Sequence, residues 1–203
     1  AAVSSFIFSG LIGTFAYAKR REINWTQLVY LTVGAIPGAL IGTHTLFKVD
    51  AESLKLFIAV VLLFASYKQI ANIKFKPLHN QKAPSNINLL LVGFVTACLS
   101  VLSGTGGPLV LVPILTFLSM PLLAVIGLSQ AIQIPIAVFA TVGNQWSGII
   151  RWEIVALLSP GLVLGTFFGA KASEYLPADK IKNLVAFLLL GSGIYMLINV
   201  IFI

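Results

Sequence analysis

Charge is what this sequence has least of. Only 9% of its 203 residues are Asp, Glu, Lys or Arg, against about 25% in soluble domains, which excludes an ordinary globular protein. Between Lys82 and Arg151 there is no acidic, basic or histidine side chain. Intramembrane catalysis would want Ser with His or Lys, an Asp pair, or a His-rich metal set within the apolar segments. The two histidines, His44 and His79, stand apart and near loops. The expectation is no enzyme, no cofactor and no metal. A single cysteine, Cys98, cannot form an internal disulfide and reads as an inert core thiol. The opening "AAVSSFIFSG" has neither an initiator Met nor a basic n-region, so it is not a signal peptide. It reads as the middle of a helix, and the chain as an N-terminally shortened fragment.

What the sequence does have is apolar length. Hydrophobic residues make up 58% of it, and the nineteen charged side chains fall in short clusters. A helix needs roughly 20 apolar residues to cross the hydrocarbon, and the intervals between clusters allow it repeatedly. The fold class is therefore an all-α polytopic membrane protein, with the lipid bilayer as its first partner. The net charge of +7 does not signal nucleic acid here, because Lys and Arg gather in loops that stay cytoplasmic.

Charges and turn-formers mark the boundaries. Spans are expected at Ala1–Tyr17, Trp25–Phe47 and from Leu54 to about Ile73, and these form a first unit, residues 1–73. "KFKPLHNQKAPSN", residues 74–86, is a basic cytoplasmic linker rich in turn residues. Residues 87–203 form a second unit.

The units are related. A shift of 127 residues lays Trp25 on Trp152, Lys55 on Lys182, and Gly34, Gly38 and Gly42 on Gly161, Gly165 and Gly169. From Ile23 to Leu63 it gives eleven identities in 41 positions without a gap. Internal repeats are a recurring plan of secondary transporters. The repeat element that would match "SGTGGP" falls before Ala1. Each glycine triplet forms one stripe on a helix and reads as a packing face that lets two backbones approach.

The segment from Asn86 to Met120 is 35 residues long. One helix of that length would extend about 52 Å, too long for a hydrocarbon core of about 30 Å. It contains "SGTGGP", Ser103 to Pro108, where glycine accepts any backbone angle and proline suits the first turn of a new helix. Two short helices are expected, about Ile87–Leu102 and Pro108–Leu118, joined as a re-entrant hairpin. This inverts the second repeat relative to the first. The basic clusters at 19–21, 68–82 and 171–182 then share one side, with ten of the thirteen Lys and Arg, as the positive-inside tendency favours.

Backbone without partners is tolerated inside a membrane only where it is buried in protein or lines a water-filled cavity. The turn offers N–H groups from Gly104, Thr105, Gly106 and Gly107 and hydroxyls from Ser103 and Thr105, at the start of a helix whose dipole favours an anion. A small anionic solute held by neutral donors is the expected ligand; a purely structural turn is the alternative. A second cluster, "GLSQAIQIP", puts Ser129 and Gln133 four residues apart on one helix face with Gln130 beside them. These three could face the anion or bond between helices.

The residues "GTGGPLVLVPIL", followed by "AVIGLSQAIQIP", resemble the glycine-rich signature of the TauE/SafE sulfite exporter family. The stretches 148–197 and 21–57 are similar to the ends of that family's two repeats. The resemblance implies a multi-pass transporter of the cytoplasmic (inner) membrane that moves small sulfur-containing anions, such as sulfite or organosulfonates. It matches Gly104, Thr105, Gly106, Gly107, Pro108, Pro113 and Ser129 to the signature. Pro108 stands where a third glycine is common, and Leu128 where Thr is usual. An anion channel and a non-transporting membrane scaffold are the alternatives, and a homo-oligomer stays open. Gly106→Val is expected to abolish transport in a vesicle assay while leaving insertion and folding largely intact.

Overall fold

The computed structural model describes residues 2–45, 50–71, 84–146, 148 and 150–202; most of the expected linker, residues 74–83, lies outside them. The described residues form eight helices: α1 (Ala2–Lys19), α2 (Trp25–Thr45), α3 (Ala51–Ile70), α4 (Asn86–Ser103), α5 (Pro108–Phe117), α6 (Leu122–Trp146), α7 (Trp152–Tyr175) and α8 (Ala178–Phe202). Six of them, all but α3 and α5, are long and apolar enough to cross a membrane. Local signals set several ends. Asp50 caps α3 by accepting from the Ser53 N–H at 2.9 Å. Hydrogen bonds from the Ser53 hydroxyl and N–H hold the Asp50 carboxyl below its ordinary range. Ser85 caps α4, and Pro108 occupies the first turn of α5, where its missing N–H costs no helical bond.

Three pairs of helix boundaries keep the 127-residue spacing. α2 and α7 start at Trp25 and Trp152, α3 and α8 at Ala51 and Ala178, and α1 and α6 end at Lys19 and Trp146.

Close contacts give the helix directions. α1 and α6 run antiparallel: Ser4 meets Thr141, Gly10 meets Ile134, Gly13 meets Gln130, and Tyr17 meets Gly127. α3 and α8 are also antiparallel, with Ser66 donating to the Ala186 carbonyl at 2.9 Å and Leu63 against Gly193. α2 runs parallel to α6, with Ile23 beside Gly127 and Thr43 beside Gly143. α1 runs parallel to α7, from Ser5 on the Val155 carbonyl to Tyr17 on Ser173. At that last end Arg20 ties the two helices together. Its guanidinium donates to Ser173 Oγ at 2.8 Å, to Glu174 at 2.7 Å and to the Ala170 carbonyl.

α2 and α4 are parallel and almost in backbone contact. A Cβ at Gly34 or Gly38 would overlap the carbonyl of Leu90 or Phe94, and one at Gly42 would lie 3.0 Å from that of Cys98. The contact is reciprocal, since a Cβ at Gly93 of α4 would overlap the Leu31 carbonyl. The main core lies where these helices meet α6, around Leu31, Leu89, Leu111, Leu128, Ile132 and Ile136. A smaller one joins α3 and α8 through Ile58, Leu62 and Leu189. The matching triplet on α7, Gly161, Gly165 and Gly169, has nothing within 4 Å of the position of an added Cβ.

Gly38→Leu is therefore expected to force α2 from α4 and to lower stability by on the order of 1–3 kcal/mol. Thermal unfolding in detergent measures this, and an unchanged melting temperature would refute the tight α2–α4 approach.

Candidate functional site

The expected break is present. α4 ends at Ser103, Gly104 is left-handed at φ 71°, and α5 begins at Pro108. Gly106 and Gly107 also have positive φ, 73° and 113°, which explains three glycines in four residues: side chains on L-residues strain there. α6 follows after the short link Leu118–Pro121, and Gly107 lies beside Ile136, midway along α6. α5 therefore runs back along the first half of α6, and the turn sits deep among the helices rather than at an end of the bundle.

The turn's N–H groups divide in two. Those of Gly104 and Thr105 are spent on the end of α4, donating to the carbonyls of Ser100 and Val101. This narrows the expected set of four donors. The N–H groups of Gly106 and Gly107 meet no acceptor among the described residues, and both residues are buried. A buried N–H without a partner is rare and unfavourable. The hydroxyls of Ser103 and Thr105 bond to each other at 2.9 Å, and Ser103 also donates to the Leu99 carbonyl at 2.7 Å.

Two further polar side chains belong here that sequence reading missed. Thr96 and Ser100 of α4 are fully buried, and neither hydroxyl has a partner. At helical spacing Thr96, Ser100 and Ser103 share one face, which leads to the turn. In an apolar helix, single Thr and Ser residues ordinarily donate to the carbonyl four residues back, as Thr141 and Ser159 do. Nothing in "VTACLSVLS" distinguished these two in advance.

The second cluster is placed differently. Ser129 donates to the Ile126 carbonyl of its own helix at 2.8 Å. Gln130 packs against Gly13 of α1, its Oε1 buried without a partner. Gln133, 2% exposed, reaches across to α1 and donates to Ser9 and, at 3.0 Å, to the Phe6 carbonyl. Phe6 links the two clusters, because its ring lies against Gly106. Gln133 thus stands one residue, Phe6, from the turn, while Ser129 bonds within α6 and Gln130 packs against α1.

The same contact corrects one expectation. A side chain at Gly106 would overlap the Phe6 ring and occupy a left-handed backbone, so Gly106→Val disturbs packing as well as any ligand. Gln133→Leu removes two bonds between α1 and α6 without adding bulk. It is expected to cost on the order of 1 kcal/mol, read as a lower melting temperature in detergent. An unchanged melting temperature would deny Gln133 this bridging role.

The comparisons with known proteins agree with this architecture. The family model "Sulfite exporter TauE/SafE" matches residues 1–196. A protein of Bacillus subtilis (strain 168) named "Probable membrane transporter protein YunE" is 24% identical over 217 residues, covering 97% of this chain and 78% of its own. A second from the same organism, "Probable membrane transporter protein YdhB", is 24% identical over 195 residues, covering 90% and 77%. No solved structure matches significantly. A helical membrane architecture, a broken glycine-rich segment and a match along nearly the whole length lead to one assignment: this chain belongs to the TauE/SafE sulfite exporter family of multi-pass membrane transporters, which are not enzymes.

Proposed function

We propose that this protein is a secondary permease that carries a small sulfur-containing anion, sulfite or an organosulfonate, across the cytoplasmic membrane. The observation that carries the reading is the pair of buried, unpartnered N–H groups at Gly106 and Gly107, at the N-terminus of α5. Helix dipole and free amide hydrogens together favour an oxyanion there. The partnerless hydroxyls of Thr96 and Ser100 and the Ser103–Thr105 pair supply further neutral donors. Without a fixed cation, the anion is bound weakly enough to leave on either side.

The architecture behind this reading is two inverted repeats, residues 1–73 and 87–203, joined by the basic linker 74–86 on the cytoplasmic side. Matched helix boundaries 127 residues apart support it, as do the antiparallel courses of α1 against α6 and α3 against α8. α4 and α5 form the re-entrant hairpin, its tip near the bilayer midplane. Alternating access is a rocking of one repeat against the other. When α1 moves from α6, the Phe6 ring leaves Gly106 and uncovers the amides.

Uptake of labelled sulfite, sulfate, taurine and sulfoacetate into proteoliposomes tests this. Saturable uptake of a sulfur anion is expected. Ser100→Ala and Thr105→Val should each reduce it about tenfold, the worth of one hydrogen bond to a charged ligand. Ser159→Ala, on the far helix α7, should leave it unchanged. Equal uptake by all three variants would remove the anion from the turn.

A further inference from the structure

α2 and α7 correspond residue by residue under the 127-residue shift, and each has the equivalent neighbour on one flank: α2 lies parallel along α6, and α7 parallel along α1. Their other flanks differ. On α2, Gly34, Gly38 and Gly42 are buried beneath α4. On α7, Gly161, Gly165 and Gly169 are exposed, and an added Cβ at any of them would meet nothing within 4 Å. Leu31, which receives Gly93 of α4 on its carbonyl, is 0% exposed, while its counterpart Leu158 is 40% exposed.

Glycine within a helix costs about 1 kcal/mol relative to alanine, and a lipid chain gains nothing from the missing side chain. Three glycines on one face are useful to another helix backbone, because they allow carbonyls to approach closely. The same three positions on α2 carry such a helix within this protein. α4 itself is not available to α7, since α2 already holds it.

We propose that the glycine face of α7 binds a second helix of the α4 type. The occupant is an apolar membrane helix, parallel to α7, with a small residue placed like Gly93 so that it can rest on the Leu158 carbonyl. It buries Leu158 and the stripe Gly161–Gly165–Gly169 as α4 buries Leu31 and Gly34–Gly38–Gly42. The inference stands apart from the identity of the transported solute, because it uses only helix packing.

The test uses the full chain in lipid nanodiscs, carrying Cys98→Ser and an acceptor dye on Tyr175→Cys at the exposed end of α7. The probe is a synthetic peptide of residues 84–103, the α4 sequence, with a donor dye at its C-terminus. Saturable energy transfer is expected. Gly161→Leu and Gly165→Leu should each weaken it at least tenfold, and both variants should melt like the parent because their new side chains enter open space. Gly191→Leu, at an open glycine on α8, should bind the peptide as the parent does. Three results would overturn the proposal: no saturable transfer, transfer indifferent to Gly165→Leu, or transfer between whole chains that Gly165→Leu abolishes. The last would make the face a contact between two copies of this protein.

Discussion

The near-contact of the α2 and α4 backbones is the constraint from which the rest of the structure follows. Gly34, Gly38, Gly42 and Gly93 remove the side chains that would hold the helices apart, and carbonyls fill the space instead. In lipid there is little hydrophobic gain when helices associate, so close van der Waals packing must hold them. Because α2 lies along α6 as well, fixing α4 on α2 brings the end of α4 into the main core. The turn after Ser103 is thereby buried, and its short return through α5 is covered by α6.

The glycine-rich turn combines two opposing demands. Buried backbone groups want partners, and the end of α4 takes two of the turn's N–H groups for its own carbonyls. The two N–H groups at the start of α5 go without, and they are joined by the hydroxyls of Thr96 and Ser100. These unpartnered donors, two at the turn and two on the α4 face that leads to it, mark a place where the protein gives up stability. Under the proposed function, a solute replaces the missing partners there and then departs. Phe6, held by Gln133 through its carbonyl, connects that place to the α1–α6 pair.

Much of the fold was legible in the residues because periodic apolar length and helix breakers are local properties. Helix length required a break and the glycines with Pro108 placed it; α4 ends one residue beyond the expected Leu102, and α5 begins at Pro108 as expected. Three helix boundaries keep the 127-residue spacing, and the same residue types, Trp and Ala, begin two of those helix pairs. The site was legible only in part. Gly106 and Gly107 stood out as glycines, but which N–H groups remain free depends on where the carbonyls of Ser100 and Val101 point. Thr96 and Ser100 were invisible, because a Ser or Thr in an apolar helix normally bonds to its own turn. Ser129, Gln130 and Gln133 looked alike, yet one bonds to its own helix, one packs on a glycine and one crosses to α1.

The residues alone establish a helical membrane protein, the position of its helix break, and one pattern shared by two stretches. Those conclusions need only composition, length and spacing, which do not depend on distant contacts. The tertiary structure alone decided which glycine stripe is covered. The two triplets are the same residues at the same spacing, and only the neighbour differs: α4 lies on one and nothing described lies on the other. It also decided which donors go unpartnered, because hydrogen-bond satisfaction is a property of what surrounds a group and not of the group itself.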